Sequence, residues 1–234
     1  MTGIAREERL IVALDLPTPR EAQALVEKLA GTARFYKVGL ELFSTDGYFE
    51  LVRWLTARGN KVFADLKLFD IPETVRRATA NLSRSGASFL TVHAHPSVLS
   101  AAAAEKGAMK ILGVTVLTSF DQSDLAEMGA TKTVEELVTD RAGATAQAGC
   151  DGVIASPHEA RKLKDRFGSR LLVVTPGIRP AEASKADQKR TMDVAQAFAA
   201  GADYIVVGRP IRDAADPRVA AEQIQKTISG IFSK

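Results

Sequence analysis

Short runs of apolar, mostly β-branched residues alternate along the whole chain with longer segments in which apolar residues recur at helical spacing. Several of the short runs are apolar at every position, a pattern typical of parallel strands that are buried on both faces. Strands are predicted at residues 10–16, 35–40, 61–68, 89–94, 111–117, 152–156, 171–175 and 204–208. The alternation of strands with helices predicts an α/β fold built on a parallel sheet.

The starts of several helices can be recognised from their capping residues. Thr18 and Ser156 are each followed by a proline and, three positions on, by a glutamate, which is the pattern of a capping box with proline at the first helical position. Asp216 precedes a proline in a similar way and predicts the start of the last helix. Gly31 is predicted as the C-cap of the first helix.

The number of strand–helix units predicts a closed barrel. Eight units in 234 residues match the lower size range of a (β/α)8 TIM barrel and leave little room for a second domain. The structural alternative is an open doubly wound sheet, which would carry a glycine-rich fingerprint after an early strand, whereas the first strand here leads into Asp15, Leu16 and Pro17. The sequence therefore predicts a single (β/α)8 catalytic domain over residues 1–234.

Composition excludes several classes of protein. The chain is 46% hydrophobic and 25% charged, and its net charge of +3 comes from basic residues scattered among acidic ones, so no nucleic-acid partner is expected. Cys150 is the only cysteine, which excludes an intramolecular disulfide. The sequence has neither the apolar core of a signal peptide nor a run of about 20 apolar residues, so a cytoplasmic protein without a membrane partner is expected.

Charged residues occur where the predicted strands end, and barrel enzymes place their catalytic groups there. Asp15 and Lys37 belong to the first two strands, Asp65 and Lys67 lie two positions apart and thus on one face of the third, and Asp70 follows on the loop. Any one of them alone could form a structural ion pair. Burying charge costs several kcal/mol for each ion, however, so five such residues at one mouth of a barrel favour a functional site.

The last two strands predict an anion site. Strand seven leads into Thr-Pro-Gly-Ile-Arg-Pro, which contains Arg179, and strand eight leads into Gly208, Arg209 and a proline. From this tripeptide alone, a turn glycine and a solvated arginine would be the simpler interpretation. The loops after strands seven and eight are the recurrent phosphate site of the fold, and that position favours phosphate binding. Residues 179–190 are polar and are predicted to form a lid.

The two histidines at the end of strand four are candidate metal ligands. His93 and His95 have a spacing that can bind zinc, but His158 is predicted on a distant helix start, and a third ligand would have to be Asp15 or Asp65. No metal site is expected. His93 is interpreted as a hydrogen-bonded side chain near the pocket.

These segments together resemble the orotidine 5′-monophosphate decarboxylase family over essentially the whole chain. The most specific motif is Asp-x-Lys-x-x-Asp-Ile-Pro-x-Thr at residues 65–74. The supporting motifs are Val-Ala-Leu-Asp at 12–15, Lys-Val-Gly at 37–39, Leu-Thr-Ser at 117–119, Thr-Pro-Gly-Ile-Arg-Pro at 175–180 with a glutamine at 188, and Gly-Arg-Pro at 208–210. Phe69 and Glu73 depart from the family pattern, in which many members have His and Asn.

The resemblance implies a carboxy-lyase that converts orotidine 5′-monophosphate to uridine 5′-monophosphate and CO2, the last step of de novo UMP synthesis, without a cofactor or metal. Lys67 would stabilise a carbanion at C6 of the pyrimidine and protonate it. Asp65 would lie against the substrate carboxylate, and Lys37 and Asp70 would alternate in sign around them.

The resemblance also implies a substrate-binding set and a partner. Asp15 would hold the ribose with Lys37, and Thr118 or its neighbour Ser119 would contact the pyrimidine. The set is completed by Leu66, Leu68, Phe69, Ile71, Pro72, Glu73, Thr74, Arg179, Gln188, Gly208 and Arg209. The implied working unit is a homodimer in which Asp70, Ile71 and Thr74 reach across the interface into the partner's site.

Two alternative functions remain open. The first is a magnesium-dependent decarboxylase of the keto-gulonate-phosphate type, which shares Asp-x-Lys-x-x-Asp, although the Ile-Pro-x-Thr continuation argues against it. The second is a non-catalytic phosphate-binding barrel. Such a protein would be expected to lose Lys67 or one of the aspartates, all of which are present.

Overall fold

Eight parallel strands close into a barrel in the computed structural model, which describes residues 3–179 and 192–232. Each strand pairs with the next in chain order, and the eighth pairs with the first. The strands are β1 Leu10–Ala13, β2 Phe35–Gly39, β3 Lys61–Leu68, β4 Phe89–His93, β5 Lys110–Val114, β6 Gly152–Ile154, β7 Leu172–Thr175 and β8 Tyr204–Val207. The predicted (β/α)8 barrel is therefore confirmed.

Helices surround the barrel and connect its strands. Those in the described ranges are α1 Pro19–Leu29, α2 Leu40–Phe43, α3 Tyr48–Ala57, α4 Pro72–Ser83, α5 Pro96–Ala104, α6 Gln122–Glu127, α7 Val134–Gln147, α8 Pro157–Phe167, α9 Val194–Ala199, α10 Arg209–Arg212 and α11 Pro217–Ile231. Short 3-10 turns lie at Arg6–Glu8 and Gly168–Arg170. None of the helices in the described part of the chain has the length and apolar character needed to cross a membrane.

The helix caps agree in part with the sequence. Ser156 forms the predicted capping box, because it accepts from the His158 amide while its own amide donates to Glu159. Thr18 caps α1, but the Glu21 carboxylate accepts from the Thr18 hydroxyl rather than from a backbone amide, so the predicted box is only half formed. The residue at the end of α1 is Ala30, in a left-handed conformation, and not the glycine that follows it.

Three strands end two or three residues before the carboxyl ends that the apolar runs predicted, and three others end one residue early. β1 ends at residue 13 rather than 16, β5 at 114 rather than 117, and β6 at 154 rather than 156. After β1 and β5 the backbone forms tight turns, in which the Leu16 amide donates to the Leu14 carbonyl and the Phe120 amide to that of Leu117. Asp15 and Thr118 consequently lie on loops above the sheet.

An aromatic layer fills the barrel interior. The rings of Phe35, Phe89 and Tyr204 pack edge to face with centroids 4.8 to 5.8 Å apart, and Phe63 adds a fourth ring 6.0 Å from Phe89. All four side chains are buried. Side chains two positions further along a strand point to the same interior. Lys37, Asp65 and Thr91, which follow these phenylalanines by two positions, therefore lie directly above the aromatic layer.

Candidate active site

A cavity of about 540 Å³ opens at the carboxyl ends of the strands. Of the residues predicted for the site, those that line it are Asp15, Lys37, Asp65, Lys67, Thr118, Arg179, Gly208 and Arg209. Ser119 also lines it, next to Thr118. The charged residues of β2, β3 and the loop after β1 thus face the same space as the loops that follow β5, β7 and β8.

Four charged side chains alternate in sign along one wall of the cavity. The Lys37 ammonium lies 2.7 Å from Asp15 Oδ1 and 3.5 Å from Asp65 Oδ2. The Lys67 ammonium lies 2.8 and 2.9 Å from the two oxygens of Asp65. The Asp65 side chain, at the centre, is 11% exposed, against 29% for Lys67. We call these four residues the charged array. It ends at Lys67, whose side chain is more exposed than that of Lys37.

The environment of the array keeps its two most buried members charged. Burial by itself would lower the pKa of Lys37, but Asp65 and Asp15 outweigh it and raise that pKa above its ordinary value. Burial would raise the pKa of Asp65, but Lys37 and Lys67 outweigh it and lower that pKa. At neutral pH the carboxylate is therefore ionised between two ammonium groups.

The backbone of β3 bulges at the end of the charged array that Lys67 forms. Residue pairs Ala64–Leu90 and Leu68–Val92 match β3 to β4, so four steps along β3 face two along β4. Within this bulge Lys67 is left-handed, with φ of +48°. A side-chain-bearing residue adopts that conformation at a cost of roughly 1–2 kcal/mol, so surrounding contacts must hold it there.

The bulge explains why the side chains of Asp65 and Lys67 meet. Strand alternation predicted that Asp65 and Lys67 share a face, and their side chains do meet. The register shift between them shows that a regular pleat does not bring them together. The ammonium returns to the carboxylate of its own strand because the backbone turns between them.

Gly39 leaves room for the array at the end of β2. A Cβ placed on this glycine would lie 3.1 Å from Lys37 Nζ and 3.5 Å from Asp15 Oδ1. Its φ of −102° is accessible to any residue, so the absence of a side chain matters here for space and not for backbone conformation.

The residues directly after β3 point away from the cavity of their own chain. Phe69 and Ile71 are 66% and 67% exposed, and Asp70 and Thr74 are exposed as well. The Asp70 carboxylate accepts from the backbone amide of Ile71 at 2.6 Å. Asp70 therefore does not join the charged array within one chain.

The other residues predicted in this segment pack in the core, begin a helix or form an ion pair within the single chain. Leu66 is buried in the core between sheet and helices, and Leu68 packs against it. Pro72 opens α4. Glu73 forms a surface ion pair with Arg76 at 2.8 Å.

The loops after β7 and β8 form a second wall of the cavity, which carries the predicted anion-binding groups. Arg179 and Arg209 line it together with Gly177 and Gly208. Gly177 has φ of +78°, a conformation that favours glycine. Arg209 begins the short helix α10. Gln188 and most of the predicted lid at 179–190 lie outside the described residues.

Arg212 is a cavity residue that the sequence analysis missed. It lines the cavity, its guanidinium donates to the backbone carbonyl of Asp15, and it pairs with Asp213 at 2.7 Å. The signal available in the sequence was a second arginine three residues, about one helical turn, after Arg209. This contact links the loop after β8 to the end of β1.

His93 lies beside the array and is partly buried. Burial first, and then the positive charges of Arg141 and Lys67, lower the pKa of His93. The Phe69 ring packs against it with centroids 5.3 Å apart, and against His95 at 6.3 Å. Within residues 3–179 and 192–232, no three His, Cys, Asp or Glu side chains are grouped as metal ligands.

Comparisons with known proteins cover almost the whole chain. The family model described as "Orotidine 5'-phosphate decarboxylase / HUMPS family" matches residues 8–224, which include every residue lining the cavity. An orotidine 5′-phosphate decarboxylase of Methylococcus capsulatus is 54% identical over 227 residues, covering 97% of this chain and 94% of the relative. One of Rhodopseudomonas palustris (strain CGA009) is 50% identical over 228 residues, covering 97% and 96%.

A solved structure agrees with the sequence relatives. The crystal structure of an orotidine 5′-phosphate decarboxylase from Lactobacillus acidophilus superposes with a TM-score of 0.84 at 37% identity. The match covers 94% of this chain and 99% of that one. The similarity therefore extends over the complete barrel and is not confined to a motif.

The space left by Gly39 generates a stability prediction. In Gly39→Ala the new methyl group presses on Lys37, which can move only by loosening its contacts with Asp15 and Asp65. We expect the free energy of unfolding to fall by about 1–3 kcal/mol, the usual cost of overpacking, when it is measured by urea denaturation.

The matched control is the same change on an outer helix. In α7 a Cβ on Gly143 would meet only Phe167 Cζ, at 4.0 Å. Gly143→Ala should be neutral or stabilise the protein by about 0.5–1 kcal/mol. A Gly39→Ala protein as stable as wild type would contradict the role given to this glycine.

Proposed function

Because this chain belongs to the orotidine 5′-phosphate decarboxylase / HUMPS family, we propose that its cavity converts orotidine 5′-monophosphate to uridine 5′-monophosphate and CO2. The family description covers more than one activity, but the relatives that are 54% and 50% identical are named for this one. The observation that carries the proposal is the charged array, which ends in an accessible lysine inside the cavity.

The reaction requires a cation at one carbon atom. Breaking the bond between C6 and the carboxyl carbon releases CO2 and leaves the electron pair on C6, where no neighbouring carbonyl delocalises it. Lys67 supplies the positive charge beside that carbon and then donates an Nζ proton to it, after which the amine takes a proton from solvent. A cation held in place before the reaction stabilises developing charge without reorganisation.

Asp65 contributes by its charge. The substrate carboxylate lies against it, and two like charges about 4 Å apart repel by about 4 kcal/mol at an effective dielectric near 20. Relief of this repulsion as CO2 departs is worth about three decades of rate. Lys37 keeps Asp65 ionised and, with Asp15, holds the ribose; Thr118 or Ser119 contacts the pyrimidine.

The anion-binding wall holds the phosphate of the substrate. Arg179 and Arg209 offer guanidinium groups that match phosphate oxygens, and Gly177 and Gly208 let the backbone approach closely. The Arg212 contact with the Asp15 carbonyl joins this wall to the array. Binding energy from the non-reacting phosphate is thereby available to organise the reacting end.

The segment after β3 completes the site of a second copy. Asp70 and Thr74 are exposed in the single chain, and Phe69 and Ile71 present apolar surface beside them. We propose a homodimer in which this surface is covered and Asp70, Ile71 and Thr74 enter the partner's cavity. Asp70 then follows Lys67 in the alternation of charges, contributed across the interface.

The first functional prediction concerns turnover. The absorbance of orotidine 5′-monophosphate should decay when purified protein is added, and it should do so equally after exhaustive treatment with EDTA. Lys67→Ala should lower kcat by at least about 1,000-fold, because it removes both the cation and the proton donor. The control is Lys110→Ala, an exposed lysine at the start of β5, which should keep wild-type activity. No decay at micromolar wild-type enzyme would refute the proposed function.

The second functional prediction concerns the phosphate. Arg209→Ala should cripple turnover of orotidine 5′-monophosphate and leave the slow turnover of orotidine nearly unchanged, because only the former has a phosphate to bind. Arg53→Ala, at an exposed arginine on α3, should alter neither. Equal losses on both substrates would mean that Arg209 acts elsewhere than at the phosphate.

The third functional prediction concerns the shared site. Lys67→Ala and Asp70→Ala should each be inactive, but co-expression should restore roughly a quarter of wild-type activity. Random pairing makes about half of the dimers mixed, and each mixed dimer has one intact site and one doubly damaged site. If Asp70 serves its own chain, every site carries a lesion and co-expression restores nothing.

A further inference from the structure

Thr91 lies on β4, two residues after Phe89, and is completely buried inside the barrel. We propose that Thr91 is a positioning residue, which holds the Asp65 carboxylate and the backbone of Lys67 in their reactive arrangement. The inference rests on the proposed function. Thr91 does not line the cavity, so it acts through those two residues and not on the substrate.

One hydroxyl group connects the two reactive residues. The backbone amide of Lys67 donates to Thr91 Oγ1 at 3.0 Å, and Thr91 Oγ1 donates to Asp65 Oδ1 at 2.9 Å. The directions are determined, because an amide can only donate and an ionised carboxylate can only accept. The threonine therefore uses its single hydrogen on the carboxylate.

The contacts close a ring around the bulge in β3. Asp65 Oδ1 accepts from Thr91 and, at 2.8 Å, from the Lys67 ammonium. The side chain of Lys67 bonds to this oxygen directly, and its main chain is connected to it through the Thr91 hydroxyl. This ring accounts for the left-handed backbone of Lys67, whose amide bonds to a side chain where a regular ladder would offer a carbonyl.

The hydroxyl also supports the charge and the orientation of Asp65. Burial would raise the pKa of this carboxyl, and the hydrogen bond from Thr91 acts with the two lysines to lower it. Oδ1 accepts from Thr91 and Lys67, while Oδ2 accepts from Lys67 at 2.9 Å and lies 3.5 Å from the Lys37 ammonium. Rotation of the carboxylate would break contacts on both sides.

The bonding of Thr91 differs from that of other buried threonines. Thr115 donates to the Ile154 carbonyl at 2.8 Å, and Thr145 donates to that of Arg141 at 2.7 Å. Those hydroxyls donate to backbone carbonyls. The Thr91 hydroxyl instead bonds to two members of the charged array.

The test uses two substitutions that separate hydroxyl from volume. Thr91→Val keeps the shape and loses the hydroxyl, and it should lower kcat for orotidine 5′-monophosphate by about 10- to 100-fold while KM stays within about threefold. Thr91→Ser keeps the hydroxyl and loses a methyl group, and its kcat should stay within about threefold of wild type. The serine variant should nevertheless melt about 2–4 °C lower, because it leaves a small cavity.

The outcomes distinguish an error in the positioning role of Thr91 from an error in the proposed function. A valine variant with wild-type kcat, or serine and valine variants that are equally slow, would overturn the positioning role. If the valine variant does not fold, Thr91→Ala replaces it, since alanine and serine differ only by the hydroxyl. An inactive wild type would refute the proposed function instead. The positioning role would then be decided by a crystal structure of Thr91→Val, in which an unmoved Lys67 and Asp65 would overturn it.

Discussion

A carboxylate buried between two ammonium groups is the interaction on which the rest of this site depends. Asp65 lies 3.5 Å from the Lys37 ammonium and 2.8 Å from that of Lys67, above a floor of aromatic rings. Burial would raise the pKa of this carboxyl, and the two cations outweigh burial and lower that pKa. The three groups come from two adjacent strands, and a third strand adds the hydroxyl of Thr91.

The local irregularities of the barrel can be understood as the structural cost of this arrangement. β3 contains a bulge with a left-handed lysine, and β2 ends in a glycine whose missing side chain leaves space for the Lys37 ammonium. Both features are unfavourable for strand formation in isolation. They persist because ion pairs and hydrogen bonds to neighbouring strands offset them, which is the usual condition of a strained functional site.

Closure of the barrel determines which loops lie next to each other around the cavity. β8 pairs with β1, so the loop that carries Arg209 lies beside the end of the strand that leads to Asp15. Arg212 spans this seam by donating to the Asp15 carbonyl. In an open sheet the first and last strands would lie far apart. The closed topology therefore places the loop that carries Arg209 next to the charged array.

Local signals in the sequence determined the eight strands, the helix starts and the charged residues at strand ends. These follow from side-chain periodicity, from capping chemistry, and from the rarity of charge in a buried strand. Tertiary structure alone decided why Lys67 is left-handed and what Thr91 and Arg212 contact. The last two depend on hydrogen bonds between residues 24, 26 and 197 positions apart. Such contacts arise only when distant segments meet in the closed barrel, and no local pattern records which polar groups will meet there.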